Sequence, residues 1–134
     1  MNAALLNKAI YDRLAGGTAL TALLGGTAIY HMQAPNNATY PFVVYSWQGG
    51  GQTNLVPDLQ DRVEFIRAYG TSGLQAGSAD ALINTLMHGA TLTMTSWSTV
   101  TVMREDDYET VETPPSGVPV YTMGGFYRIM LDKD

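Results

Sequence analysis

The sequence predicts an α+β domain, in which an antiparallel sheet of four to five strands carries two main helices packed on one face. Three observations predict it. Two stretches repeat apolar residues at helical spacing, residues 40–47 are aromatic or β-branched without a charge, and residues 62–69 alternate in polarity. With 134 residues, the chain forms one domain, residues 1–134, which buries roughly two thirds of its unfolded surface.

The first long helix is predicted over residues 3–15. Asn2 can cap it, and Leu6, Ile10 and Leu14 recur every four residues along one face. A pair of glycines follows and ends the helix, since glycine adopts the left-handed cap conformation without strain.

The second long helix is predicted over residues 73–88, with Ser72 as its cap and Gly89 as its stop. Between the two long helices, Thr18 is predicted to cap a short helical turn over residues 19–24. The apolar face of the second long helix is expected to comprise Ala79, Leu82, Ile83 and Leu86.

The strands are expected to begin with a short one at residues 28–32 and to continue with a strand that Pro41 opens. Three glycines should end that second strand, and residues 48–60 should form a flexible polar connection. Gly124 and Gly125 lie inside the last strand and indicate a bulge or a close backbone approach. The other predictions are strands at 62–69, 99–107 and 120–131, a weak strand or extended link at 91–95, and a loop at 109–119.

The composition argues against several classes of function. The net charge is −5 and only seven residues are basic, which disfavours generic attraction to nucleic acid or to an anionic membrane. Cysteine is absent, so disulfides, thiolate ligands and a cysteine nucleophile are excluded. Glycines and prolines interrupt both uncharged tracts, so no membrane span is expected, and charges interrupt the N-terminal stretch, so no signal peptide is expected.

Sparse charge also favours an oligomer. Charged residues make up 14% of the chain, whereas a typical soluble domain has about 25%. The centre of a subunit interface is depleted in charged residues, so long neutral tracts indicate surface that other subunits cover. A weakly charged, threonine-rich monomer is the alternative interpretation.

No catalytic, cofactor-binding or metal-binding residues are predicted. His31 and His88 lack a catalytic partner motif, and no serine lies in a nucleophile elbow. The three glycines at 49–51 lack the lysine and hydroxyl residue of a phosphate-binding loop. The chain is therefore expected not to be an enzyme.

An acidic cluster stands out near the C-terminal third of the chain. Its carboxylates lack the spacing and turn glycine of a calcium loop, which argues against a metal site. The interpretation from the residues alone is a solvated strand end on the outside of the protein. The cluster comprises Glu105, Asp106, Asp107, Glu109 and Glu112.

A second candidate site is the connection after the second strand. It is long, uncharged and too flexible for the core, so it is the preferred contact with a partner protein. The predicted contact residues are Gln48, Gly49, Gly50, Gly51, Gln52, Thr53, Asn54, Leu55 and Val56.

Five segments in the same order resemble the tail completion or tail terminator family of long-tailed bacteriophages. The resemblance covers the chain well up to the end of the second long helix and more loosely in the final strands. The segments are Ala9-Ile10-Tyr11, Ala19-Leu20-Thr21-Ala22-Leu23-Leu24-Gly25, Ile29-Tyr30, Tyr40-Pro41-Phe42-Val43-Val44 and Arg67-Ala68-Tyr69.

The resemblance implies a structural virion protein that forms a hexameric ring at the head-proximal end of the tail. Such a ring would end the tail tube, join the tail to the head and be assembled in the host cytoplasm. Its implied partners are other copies of the chain, the tail tube protein and a head–tail connector or head completion protein, and DNA would pass through without specific binding. The resemblance also implies a second interpretation of the acidic cluster, in which its carboxylates face the lumen of the ring and repel the passing DNA. Two alternatives stay open: another ring of the neck, such as a head completion or adaptor protein, and a monomeric ligand-binding accessory domain.

Overall fold

The computed structural model describes residues 3–52 and 58–134, and these form three helices and one five-stranded sheet. The fold is α+β, as the sequence predicts. In chain order the elements are α1 (Ala3–Ala15), α2 (Thr18–Leu24), β1 (Ile29–His31), β2 (Phe42–Gln52), β3 (Leu59–Gly70), α3 (Gly73–Met87), β4 (Trp97–Glu112) and β5 (Val120–Lys133).

The sheet has the strand order β1-β2-β3-β5-β4. All neighbours are antiparallel except β1 and β2, which run parallel. The expectation of a purely antiparallel sheet was therefore wrong at one edge. The segment between β1 and β2, residues 32–41, carries the chain back to the starting end of β1, so β2 runs in the same direction.

All three helices contribute side chains to one core on a single face of the sheet. Leu14 of α1 and Ile83 of α3 are fully buried there against strand residues such as Ile66 and Ile129. Burying apolar surface is the main favourable term in folding, so this two-layer packing stabilises the domain. The opposite face of the sheet receives no helix of the described chain.

The predicted helix ends are mostly confirmed. Ser72 caps α3, and its hydroxyl accepts a hydrogen bond from the Gln75 amide at 3.1 Å. Gly89 follows the helix with a φ of 74°, the left-handed conformation that glycine tolerates. The cap of α2 is Gly17 rather than Thr18. A Cβ at Gly17 would collide with the end of the Leu86 side chain, which would have to move, so α2 and α3 approach closely at this point.

The predicted apolar face of α3 was partly right. Ala79 and Ile83 are buried, whereas Leu82 and Leu86 are half-buried. Ala76 and Met87 complete the buried face instead.

Two strands continue where the sequence predicted loops. β2 runs through the three glycines to Gln52, with a register shift between Trp47 and Gly49, and β4 runs on to Glu112. In both cases the paired strand supplies the ladder hydrogen bonds, which hold residues of low β-propensity in an extended conformation. Residues 91–95 form no strand and contribute only an isolated bridge at Met94.

Gly124 in β5 marks a close backbone approach, as predicted. A Cβ there would collide with the Ile66 carbonyl oxygen of β3 and would lie 2.6 Å from the Arg67 Cα. The two register shifts of the β4–β5 pair lie on β4 instead, between Thr99 and Thr101 and between Arg104 and Asp106.

The long edge strand β4 is protected along its first half by the segment that follows α3. The Gly89 amide donates to the Val102 carbonyl at 2.8 Å, and the Arg104 amide donates to His88 Nδ1 at 3.2 Å. The second half of β4 has exposed carboxylates instead. Coverage and charge are two ways in which proteins prevent edge strands from pairing with other chains.

Candidate functional site

The sheet face opposite to the helices, called here the open face, carries a continuous aromatic group. Phe65 of β3 and Phe126 of β5 are directly paired, and their rings stack at 4.6 Å between centroids. Tyr108 of β4 lies 4.9 Å from the Phe65 ring and is 37% exposed. Such side chains fit a surface that another protein covers, because interface centres are enriched in aromatic residues.

Further apolar residues extend the open face toward both ends of the sheet. Phe42 stacks on Tyr69 at 5.0 Å and on Tyr40 at 5.2 Å. Met103 of β4, which pairs with Arg128 of β5, is 49% exposed. The open face is defined by Phe42, Val63, Phe65, Arg67, Tyr69, Met103, Tyr108, Phe126, Arg128 and Met130.

The two arginines of the open face differ in their partners. Arg128 forms ion pairs with Asp61 at 2.6 Å and Glu105 at 2.5 Å. Arg67 lies over the Phe65 ring at 4.5 Å and donates to the Ser46 hydroxyl at 2.8 Å. Within the described residues no carboxylate lies within ion-pair distance of Arg67, so this guanidinium is available for an acceptor from outside the chain.

The acidic cluster lies along the second half of β4, and all its members are exposed. The register divides it between the two faces: Asp106 pairs with Phe126 of the open face, whereas Glu109 pairs with Met123 on the helix side. Asp107 is bound to Arg104 at 2.8 Å. Asp106, Glu109 and Glu112 have no cation partner among the described residues.

The predicted partner-contact loop is in part a β-hairpin. Gln48, Gly49, Gly50, Gly51 and Gln52 belong to β2, and their expected flexibility was wrong because β3 pairs with them. Gly50 has a φ of 92° and its Cα faces the Asp61 carbonyl, so a side chain would not fit. The remaining contact residues, Thr53, Asn54, Leu55 and Val56, lie outside the described residues.

The two histidines lie in different structural settings. His31 ends β1 and its ring lies 5.2 Å from that of Tyr45. His88 is the C-cap of α3 and accepts the Arg104 amide. Among the described residues no group of three or more His, Asp or Glu side chains could hold a metal ion. None of the described helices has the length and apolarity to cross a bilayer.

A polar pocket that sequence reasoning missed lies between α1, the end of β1 and strands β2 and β3. It has a volume of about 220 Å³. Glu64 lines it and is only 1% exposed, and Arg62 lies beside it under the Trp47 ring, 4.4 Å from the ring centroid. Trp47 itself is 50% exposed. We call this the Glu64 pocket.

Burial dominates the electrostatics of Glu64. Loss of solvent raises the pKa of its carboxyl to about 7, and the positive charges of Arg62 and Arg67 oppose that shift without cancelling it. The folded chain therefore binds a proton at Glu64 more tightly than the unfolded chain, whose carboxyl has a pKa near 4.5.

This difference predicts a pH dependence of stability. The free energy of unfolding should fall as pH rises from about 4.5 to about 7, because in that window only the folded state holds the proton. The loss amounts to about 1.4 kcal/mol for each unit of difference between the two pKa values. Above that pH range the loss of stability has reached its full value and no longer changes with pH. Glu64→Gln should remove this part of the slope and should be more stable than the parent at pH 8, as measured by urea unfolding at several pH values.

Glu109→Gln is the matched control, because Glu109 is exposed on β4 and its neutralisation should leave the slope unchanged. A parent protein whose stability is flat between pH 4.5 and 7, or a Glu64→Gln variant with the parent's slope, would contradict the assignment.

The comparisons with known proteins agree with this fold. A family model described as "Tail completion protein gp17" matches residues 8–113, which is more than half of the chain. A chain from a structure described as "Virion of native gene transfer agent (GTA) particle" superposes with a TM-score of 0.73 at 18% identity, over 97% of this chain and 96% of that one. Another solved structure matches with a TM-score of 0.57 at 13% identity, over 100% of this chain and 96% of its own.

No curated protein sequence matches the chain. The structural matches, at 18% and 13% identity, establish the fold alone. The family model covers the second half of α1, all of α2 and α3, and strands β1 to β4. The chain therefore belongs to the tail completion protein gp17 family, the structural proteins of the bacteriophage tail.

Proposed function

We propose that this protein forms a hexameric ring at the head-proximal end of the phage tail, where it ends the tail tube and joins the tail to the head. The observation that carries the proposal is the open face of the sheet, which no helix of the described chain covers. Its stacked aromatics and exposed Met103 offer an apolar surface to a neighbouring subunit.

The two edges of the sheet support a ring rather than a two-fold dimer. β1 is an edge of three residues, whereas β4 at the opposite edge has sixteen residues and carries the acidic cluster. A contact between two unlike sides of the same subunit is heterologous, and heterologous contacts close into rings when the rotation permits.

The charges favour a second copy of this chain as the partner that covers the open face. Arg67 on the open face lacks a carboxylate partner, and Asp106, Glu109 and Glu112 on β4 lack a cation partner, within the described residues. A neighbouring copy supplies both missing partners when its β4 side meets the open face. Such complementary charges fix the register of a contact and steer the subunits together.

Two further assignments follow from a ring of this kind. Carboxylates of β4 that stay unpaired at the subunit boundary would line the lumen, where their charge would keep passing DNA from adhering. The predicted contact segment, residues 48–56, would contact the tube protein. A map of the ring with β4 on its outer rim would reject the lumen assignment.

The ring contact is tested by a charge placed on the open face. Met103→Lys should abolish the hexamer, because an ammonium group would be buried in an apolar contact next to Arg128. Light scattering after size-exclusion chromatography should then report the mass of one subunit for the variant and the mass of six subunits for the parent. If the parent assembles only when tube protein is added, the two proteins are compared in its presence.

Leu74→Lys is the matched control, since Leu74 lies on α3 in the helix layer, outside both the open face and β4, and is 82% exposed. It should assemble like the parent. A parent that stays at one subunit mass at every concentration, with and without tube protein, would indicate a monomeric accessory domain. Hexamers formed equally well by Met103→Lys would show that the open face is not the contact.

A further inference from the structure

The Glu64 pocket contains two polar atoms whose hydrogen-bonding capacity is unused. Glu64 Oε2 and Arg62 Nε are buried, and neither has a hydrogen-bond partner in the described chain. Each such atom costs roughly 1–3 kcal/mol of stability, so a fold retains few of them without a reason. Both residues line the same pocket, together with Asn7, His31 and Trp47.

The two unused atoms are complementary in kind. Arg62 Nε carries a hydrogen to donate, and a Glu64 carboxylate oxygen accepts. No Arg62–Glu64 pair within 4 Å occurs among the ion pairs of the described residues, so they do not satisfy each other. A ligand that satisfies both must present an acceptor and a donor side by side.

The charges around the pocket exclude most other ligand classes. A carboxylate ligand would be repelled by Glu64 in its ionised form, and an ammonium ligand would be repelled by Arg62. A neutral primary amide avoids both penalties, and its carbonyl oxygen and one N–H point to the same side, whereas those of a trans peptide bond point in opposite directions. The half-exposed Trp47 ring lies over the Arg62 guanidinium and offers an apolar wall.

We propose that the Glu64 pocket is a binding site for an amide group of a partner protein. The amide carbonyl accepts a hydrogen bond from Arg62 Nε, and the amide N–H donates to Glu64 Oε2. The amide belongs to a glutamine or asparagine side chain, since a trans backbone amide cannot present both groups on one side. The site is independent of the ring contact on the open face, because Glu64 lies on the helix side of β3.

The test uses two small amides and the two tryptophans of the chain. Propionamide represents the side-chain amide, and N-methylacetamide, a trans secondary amide, is its control. Propionamide should shift the indole N–H resonance of Trp47 in a saturable way, while that of Trp97, which does not line the pocket, stays in place. N-methylacetamide should bind more weakly, because its carbonyl and N–H point in opposite directions, and equally tight binding of the two amides would contradict the proposed geometry.

Two substitutions at one position separate a ligand site from a structural role. Glu64→Gln keeps a carbonyl acceptor and should bind propionamide within about threefold of the parent, whereas Glu64→Met lacks it and should bind at least about tenfold more weakly, as expected for a lost hydrogen bond. Glu64→Met should nevertheless be at least as stable as the parent at pH 8, because it removes a buried acid.

The proposal is overturned if propionamide does not move the Trp47 resonance, or if both tryptophans respond alike. It is also overturned if Glu64→Met binds as tightly as the parent, or if propylammonium or propionate binds more tightly than both amides. These outcomes leave the ring proposal untouched, because its readout is the subunit number of the assembly.

Discussion

Arg104→Met should lower the free energy of unfolding by about 3–5 kcal/mol, the loss expected when one partner of a buried ion pair is removed. Arg104 binds both carboxylate oxygens of Asp80, at 2.8 and 2.9 Å, and also donates to the Gly124 carbonyl at 2.8 Å. One side chain thus joins α3, β4 and β5. Its removal leaves Asp80, whose side chain is only 18% exposed, without its cation.

Equilibrium unfolding in urea measures this effect, and a double variant shows its origin. Arg104→Met combined with Asp80→Leu removes both charges, so it should recover a large part of the loss, since replacing a whole buried ion pair by apolar residues is often close to neutral. If the single and double variants are equally destabilised, the cost arises from the other contacts of Arg104. An unchanged urea midpoint in the single variant would contradict the prediction.

Gly124→Ala should destabilise the fold by about 3 kcal/mol, at the upper end of the usual cost of overpacking. The added methyl group would collide with the Ile66 carbonyl and would lie 2.6 Å from the Arg67 Cα, both of them backbone of the paired strand β3. Backbone cannot rotate away as a side chain can, so β3 and β5 must separate locally. Thermal unfolding of the variant reports the loss.

Gly49→Ala is the control for this prediction. Gly49 lies in the same sheet, has no positive φ, and a Cβ there meets no atom within 4 Å. It should change stability by less than about 0.5 kcal/mol, as surface substitutions usually do. Equal losses from the two alanines would mean that glycine content, and not the close approach of β3 and β5, sets the cost.

Local signals in the sequence were sufficient for most of the fold. The Ser72 cap, the Gly89 stop and the four-residue spacing of Leu6, Ile10 and Leu14 depend on neighbours along the chain, and all are confirmed. The continuation of β2 through Gly49 was missed because it depends on pairing with β3. Tertiary pairing outweighs the weak β-propensity of glycine.

The site was less predictable than the fold. The acidic residues were visible as neighbours in sequence, but their division between two faces follows from the register shift between Arg104 and Asp106. The Glu64 pocket was missed because the alternation of β3 does not tell which face is inside. Phe65 and Tyr69 favour one face by apolar content, yet the structure buries Ile66 and Ala68 instead, together with Glu64.

The two halves of β4 are protected from strand pairing in different ways, and this protection affects how subunits can associate. His88 and Gly89 occupy backbone groups of the first half, and like charges on the second half repel another copy of the same strand. Pairing of two copies through their β4 strands is therefore disfavoured, so this edge does not extend the sheet from one subunit into the next. In the proposed ring the subunits then meet through side chains and not through a continuous intermolecular sheet.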